Sequence, residues 1–325
     1  MAAAPRDAEV LLACHVAPDG DALGSMLGFG LGLRQLGFTR VRASFPAPFE
    51  VAEVFRFLPG QELLVAPANA PPRPDLAVSF DAASPSRLGE LTPALRRAPV
   101  WLVLDHHASN PGFGSHQLID RNAAATAMVA AQLLDRLGVR FDADLATCLY
   151  VAIATDTGSF KFDLTSPAVL ALAGRLVEAG AKPAEIARWV FDTRPFGAIQ
   201  LLAEVLHRAR LDRLAARGHG LVTAYATLAD LDRYGQPVNV LESFMEVLRT
   251  AAEADVACLV KPVAAGEWSV SLRSRGATDV AAVAIALGGG GHRSAAGFTG
   301  YGEVDDVLAA VRAQLPASSE VAAPA

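Results

Sequence analysis

Three apolar runs of strand length decide most of what this chain can fold into: LLACHV at 11–16, DLAVSFD at 75–81 and VWLVLDHH at 100–107. None alternates apolar with polar residues, as a half-solvated strand would. Continuous apolar character fits strands buried on both faces, the condition of a parallel sheet covered by helices. Helical patterns at 22–37, 86–97 and 122–137 lie between or after the runs and supply that cover. The expected fold is α/β, with a doubly wound, mainly parallel sheet in the N-terminal part.

Each run ends in more polar groups than a turn requires. His15 closes the first, and Asp19 and Asp21 follow around Gly20. Asp81 ends the second, and Asp105, His106 and His107 end the third. A longer helix-like segment, LATCLYVAIATDTGSF at 145–160, carries Asp156. Pro18, Asp19 and Gly20 suffice for a turn, so His15 and Asp21 are surplus. Taken singly, these residues read as turns, a helix cap and loop histidines. At the carboxyl ends of parallel strands they converge on one edge, where sites gather in such folds. Asp19, Asp21, Asp81 and Asp156 would repel there unless positive charge lay among them, and two divalent cations would cancel them. Oxygen donors with imidazoles and no thiolate favour Mn²⁺, with Mg²⁺ or Co²⁺ as alternatives, over structural zinc. Gly20 is expected to bend the chain so that both aspartates point inward.

Helices are expected at 166–180, opened by Ser166-Pro167, and at 183–191, with a linking helix at 195–214. Strands at 220–226, 256–262 and 267–273, with helices near 240–252, 278–287 and 303–314, suggest a smaller α/β domain. The expected boundaries are 1–190, a linker at 191–215, a second domain at 216–316 and a disordered tail at 317–325. Within the second domain, GGGGHRSAAGF (288–298) has four glycines that permit close approach and can present amide donors to phosphate. Gly289, Gly290, Gly291, His292 and Arg293, with Arg273 and Arg275 of SLRSRG, are the candidate substrate-binding groups, because arginine suits phosphate. Alone, this stretch would read as a glycine-rich turn with solvated arginines. It lacks the lysine of a Walker A loop. GFGLGLRQLG (28–37) lies within a helix pattern and is no dinucleotide fingerprint; its glycines are expected to permit close packing on the sheet. His116, His207 and His219 have no motif context and are expected at the surface.

The net charge of −6 argues against a general grip on long nucleic acid, while a local basic pocket for a short anion remains open. Cys14, Cys148 and Cys258 are far apart in apolar stretches and read as buried thiols in a reducing compartment. The N-terminal residues show no basic, hydrophobic signal pattern, and no apolar stretch approaches membrane-spanning length. A soluble, cytoplasmic protein without a membrane partner is expected.

HVAPDGDALGS, DHHASN, TDTGSF and GGGGHRSAAGF, in this order and spacing, resemble the motifs of the DHH phosphoesterase family and its DHH-associated C-terminal domain. The likeness runs from about residue 8 to 315 and is greatest to the nanoRNase/PAP phosphatase branch. It implies hydrolysis of short oligoribonucleotides and 3′-phosphoadenosine 5′-phosphate (PAP), and in some members of pApA or cyclic di-AMP. It also implies a homodimer. Carried over by motif, His15, Asp19 and Asp81 would hold one metal, and Asp21, Asp81, His106 and Asp156 the second, with Asp81 bridging. Asp105 would orient a histidine. His107 would touch the scissile phosphate or protonate the leaving oxygen. Two cations at roughly 3.5–4 Å would activate a shared water for in-line attack. The C-terminal motif would then face the metals across a cleft. The alanine-rich NAAATAMVA after Asp120 departs from the family pattern and gives no basis for a substrate contact there. Other readings are a pyrophosphatase or polyphosphatase, which the glycine-rich C-terminal motif disfavours, and a non-catalytic nucleotide sensor, which would not need every ligand.

Overall fold

The computed structural model describes residues 4–315; the expected tail at 317–325 lies outside them. The chain divides into two compact units between Thr193 and Arg194.

The first unit runs β1 (Glu9–Cys14), α1 (Gly20–Gln35), β2 (Arg40–Ser44), β3 (Leu76–Phe80), α2 (Thr92–Arg97), β4 (Val100–Asp105), β5 (His116–Ile119), α3 (Thr126–Arg136), α4 (Ala143–Asp156), α5 (Pro167–Glu178) and α6 (Pro183–Val190). Its sheet has the order β2-β1-β3-β4-β5, and every pair is parallel. The strand order reverses beside β1, where chains of this topology open a crevice at the carboxyl ends. Register then aligns the exits. Cys14 pairs with Phe80 and Phe80 with Leu104, so His15, Asp81 and Asp105 leave the sheet at one level. Both faces are covered, as the unbroken apolar runs require. Leu12, Val78, Phe80 and Leu104 pack under α1, α3 and α4, while Leu11, Ala77 and Val103 pack against Leu88, Leu91 and Leu95.

Several local expectations change. The first strand ends at Cys14 because Val16 N–H leaves the ladder and donates to Arg87 O at 2.9 Å. The helix expected at 86–97 is a 3₁₀ segment, Pro85–Leu91, broken at Gly89 (φ 45°) before α2 begins. The glycines of α1 pack mainly against α4, not the sheet. A Cβ on Gly24 would lie 2.3 Å from Cys148 O, and one on Gly20 would lie 2.5 Å from Thr155; Gly30 alone of these faces Leu12 and Leu63. Gly20 is therefore needed for helix approach rather than for the bend.

The second unit runs α7 (Phe196–His207), β6 (Arg210–Asp212), β7 (Leu221–Tyr225), α8 (Leu228–Tyr234), α9 (Phe244–Leu248), β8 (Val256–Ala264), β9 (Glu267–Ser274), α10 (Val280–Ala286), β10 (Gly290–His292), β11 (Ala295–Tyr301) and α11 (Val304–Gln314). The sheet order is β10-β11-β9-β8-β7-β6, antiparallel except for β7 with β8. One face packs on α10 and α11 through Cys258, Val270, Val283 and Val311; the other packs on α7 and α9 through Leu201, Val205, Phe244 and Leu259. The expected helix at 195–214 stops at His207 and is followed by β6. The helix expected near 240–252 is a 3₁₀ turn, Val238–Ser243, followed by the short α9. The glycine-rich 288–298 stretch forms the β10–β11 hairpin. The three cysteines are free and buried. Among the described residues no helix is long and apolar enough to cross a membrane.

Candidate metal centre

His15 leaves β1 almost fully buried. Its Nδ1 lies 2.8 Å from Val16 O, which can only accept, so Nδ1 carries the hydrogen. Nε2 then faces Asp81 Oδ2 at 3.5 Å and Asp19 Oδ2 at 3.8 Å. Asp19 caps α1, accepting from Ala22 N–H at 3.0 Å through Oδ1, and this frees Oδ2 to face His15. Asp21, in the first turn of α1, is completely buried. Its Oδ1 accepts from Ser25 Oγ and Ala127 N–H, and its Oδ2 from Thr126 N–H at 2.6 Å. It thereby caps α3, whose own preceding residue, Ala125, has no side-chain acceptor.

Asp81 follows β3 in the left-handed region (φ 55°), a conformation tolerated better by Asp than by most side chains. Its carboxylate lies between the imidazoles: Oδ2 faces His15, and Oδ1 lies 3.5 Å from His106 Nε2. Thr126 Oγ1 donates to the same Oδ1 at 2.8 Å. His106 Nδ1 lies 3.1 Å from Ala123 O, so the other ring nitrogen turns to Asp156 Oδ2 at 3.2 Å. Asp156 ends α4, and close α1–α4 packing brings it toward Asp21. His107 Nδ1 donates to Asp105 Oδ1 at 2.8 Å, while Asn110 Nδ2 donates to Asp105 Oδ2 at 2.5 Å. Asp105 thus orients His107, not His106.

Charge at this edge is unbalanced. Burial alone would lower His15 and His106, yet the facing carboxylates outweigh it and push both up to about 10. Burial, then the charges of Asp81 and Asp156, drive the Asp21 carboxyl well above its usual range. Burial likewise raises Asp156 despite its bond from His106. Burial would also raise Asp105, but the bonds from His107 and Asn110 prevail and hold it low. His107 is raised, chiefly by its bond to Asp105. Carboxylates that raise one another need more positive charge than two imidazoles provide. The donor atoms fall into the sets His15–Asp19–Asp81 and Asp21–His106–Asp156, with a further grouping of Asp81, His106 and His107; within each set they lie within 4.8 Å of one another. Oxygen and imidazole donors without thiolate fit hard or borderline divalent cations.

The cluster, with Ala83 and Arg87, bounds a cavity of about 140 Å³. That volume admits a phosphoryl group beside the donors. Arg87, Asn110 and Thr126 were not anticipated from sequence. Thr126 lies in the alanine-rich stretch, whose small buried residues let α3 come close behind the carboxylates. No spacing signal marks Arg87, because the 3₁₀ segment carrying it reads as an ordinary helix.

The C-terminal candidates divide. His292 pairs with Ala295 and Ala295 with Arg273, so His292 and Arg273 flank a small residue in one row across three strands. Arg293 follows at the hairpin turn. Arg275 lies beyond β9, its backbone N–H bonded to Asp255 and its Nη1 3.4 Å from Ala252 O. Gly290 and Gly291 belong to edge strand β10. Gly289 corrects the expectation of a free amide donor: its N–H bonds to Ala284 O at 2.8 Å, and a Cβ there would lie 2.2 Å from Gly297 O. His116, His207 and His219 are exposed, as expected.

The DHH family N-terminal domain matches residues 9–153, and the DHHA1 domain matches residues 222–316. The bifunctional oligoribonuclease and PAP phosphatase NrnA of Thermus thermophilus is 35% identical over 94% of this chain and 90% of its own length. The NrnA of Bacillus subtilis is 23% identical over 92% of each chain. An exopolyphosphatase-related protein from Bacteroides fragilis has the same fold, with a TM-score of 0.85 at 20% identity over 93% of this chain and 90% of that one. The Asp105-His106-His107 run is at the centre of the cluster, both halves match in order, and similarity extends along nearly the whole sequence: the chain belongs to the DHH phosphoesterase family.

Proposed function

We propose that this protein is a Mn²⁺-dependent phosphoesterase that hydrolyses short oligoribonucleotides and PAP, the substrates named for its Thermus and Bacillus relatives. The observation that carries the reading is the position of Asp81, with one oxygen toward His15 and the other toward His106. Such a carboxylate can serve two cations at once. His15, Asp19 and Asp81 would hold one; Asp21, Asp81, His106 and Asp156 would hold the other. The bound cations supply Lewis acidity to the phosphoryl group and the attacking water.

The chain's own residues do the remaining work. Asp105 fixes the His107 tautomer through Nδ1, leaving Nε2 to pass a proton to the leaving oxygen. The raised His107 favours that protonated form. Arg273, His292 and Arg293 are the proposed anion contacts of the second unit, with Gly290 leaving room beside them. We extend the proposal to a cytoplasmic homodimer, as the family resemblance implies. Turnover of a ribodinucleotide, PAP, pApA, cyclic di-AMP and pyrophosphate, compared side by side with Mn²⁺, tests the reading. We expect the dinucleotide and PAP to be cleaved and Asp81→Ala to be inactive. Preference for pyrophosphate, or wild-type turnover by Asp81→Ala, would overturn it.

A further inference from the structure

Arg87 is the one arginine that bounds the metal-centre cavity among the described residues, and its Nη2 lies there 3.1 Å from His15 Nδ1. Its main chain is fixed beside the exit of β1. The Arg87 carbonyl accepts from Val16 N–H at 2.9 Å, and its N–H donates to Ser84 O at 3.2 Å. Leu88 and Leu91, both buried, anchor the same 3₁₀ segment in the core. The side chain thus enters the cavity from a rigid base.

The atom it meets is already engaged with another partner. Arg87 Nη2 lies 3.1 Å from His15 Nδ1, but that nitrogen already carries the hydrogen given to Val16 O. With Nε2 facing the metal donors and Nδ1 bonded to Val16 O, the imidazole offers Arg87 no acceptor. Among the described residues no carboxylate pairs with Arg87 either, although Asp19 and Asp81 bound the same cavity. A permanently charged fork set donor-to-donor against an imidazole is a poor arrangement until an anion arrives to accept from it.

We infer that Arg87 grips a nonbridging oxygen of the phosphoryl group under attack. The inference rests on the phosphoesterase reading and makes it specific. As water adds to phosphorus and the bond to the leaving oxygen breaks, charge spreads over the nonbridging oxygens, and the leaving oxygen takes up a proton. A donor aimed at those oxygens bonds most strongly in the transition state, so its loss falls on kcat more than on KM. Monoesters and diesters both present nonbridging oxygens, so the grip does not depend on what else the phosphorus carries. Arg87 therefore serves diester and monoester substrates equally.

The test uses the full chain with Mn²⁺, comparing wild type, Arg87→Ala and Arg87→Lys on PAP and on pApA. Two titrations accompany the kinetics: Mn²⁺ binding followed by electron paramagnetic resonance, and inorganic phosphate binding to the Mn²⁺-loaded protein. Loss of a single preorganised donor typically lowers kcat by about 10²–10³-fold, and we expect that drop in Arg87→Ala on both substrates. Arg87→Lys should recover part of the rate, and added guanidinium ion should partly rescue Arg87→Ala. Phosphate binding should weaken while Mn²⁺ binding is unchanged. Wild-type kcat in Arg87→Ala would overturn the inference. So would a loss of Mn²⁺ affinity matching the loss of rate, which would make Arg87 only a support for His15. A wild-type protein inert on both substrates would instead refute the phosphoesterase reading, and the phosphate titration would still report on Arg87.

Discussion

Gly24 and Gly28 lie one helical turn apart on α1, yet a methyl group at the two positions should have opposite consequences. A Cβ on Gly24 would lie 2.3 Å from the carbonyl oxygen of Cys148 and 3.0 Å from Ala152 Cβ. The oxygen is backbone, inside a buried helix, so α1 and α4 would have to separate by about 1 Å for an ordinary contact. A Cβ on Gly28 would meet only side-chain atoms, at 3.1 to 3.4 Å, which can yield by a few tenths of an ångström. Both substitutions gain about 1 kcal/mol of helix propensity over glycine. Overpacking of a rigid core costs roughly 1–3 kcal/mol or more, and a backbone clash belongs at the upper end. Gly24→Ala should therefore destabilise by about 2 kcal/mol net, and Gly28→Ala should stay within about 1 kcal/mol of wild type. The functional consequence is sharper. Asp21 starts α1 and Asp156 ends α4, with His106 near both, so separating the helices separates the donors. Misplaced support for metal ligands typically costs about 10–100-fold in affinity, which is the loss expected for Gly24→Ala and not for Gly28→Ala. Urea unfolding followed by circular dichroism gives the stabilities, and Mn²⁺ titration gives the affinities. A Gly24→Ala protein with wild-type stability and Mn²⁺ affinity would refute the view that close helix approach builds the site.

Thr126→Val removes the hydroxyl that donates to Asp81 Oδ1 while keeping the side-chain shape, and it should lower Mn²⁺ affinity by about 10–100-fold; an affinity equal to wild type would show that Asp81 needs no such support. In the second unit, Arg208 binds both oxygens of Asp230 at 2.5 and 2.8 Å and, with the Thr227 cap, holds that carboxyl down to about 2. A depressed carboxyl stabilises the fold above its ordinary titration range, and that contribution disappears as pH falls through about 2. A shift of nearly two units corresponds to about 2.5 kcal/mol, of which Thr227 keeps a part, so Arg208→Met should flatten the loss of stability between neutral pH and about pH 2 by about 1–2 kcal/mol. Equal acid slopes for both proteins, read from urea melts at each pH, would contradict the assignment.

What the sequence disclosed depended on contrast. His15, Asp81 and Asp105–His107 stand out because each ends an apolar run, and a parallel sheet must place such ends side by side. The edge strands β2 and β5 lack that contrast. RVRAS alternates exposed and buried residues, and HQLI is almost wholly exposed. The hairpin β10–β11 was hidden for another reason: its strands approach so closely at Gly289 and Gly291 that glycine replaces the residues that normally advertise a strand. Supporting partners were least legible, because their meaning lies in distance across the fold. Thr126 is 45 residues from Asp81 and Asn110 only five from Asp105, yet neither spacing predicts a hydrogen bond. Asp21 shows the limit from the other side. Its place beside Gly20 marks it as a metal donor, and the fold also makes it the missing cap of α3, fixing that helix through Thr126 and Ala127. A carboxylate in both roles ties donor position to helix position. Asp21→Asn keeps an acceptor for one N–H, sets an NH2 against the other and loses the charge, so it should lower both stability in urea and Mn²⁺ affinity; wild-type stability with weakened Mn²⁺ binding would show that one oxygen suffices for the cap.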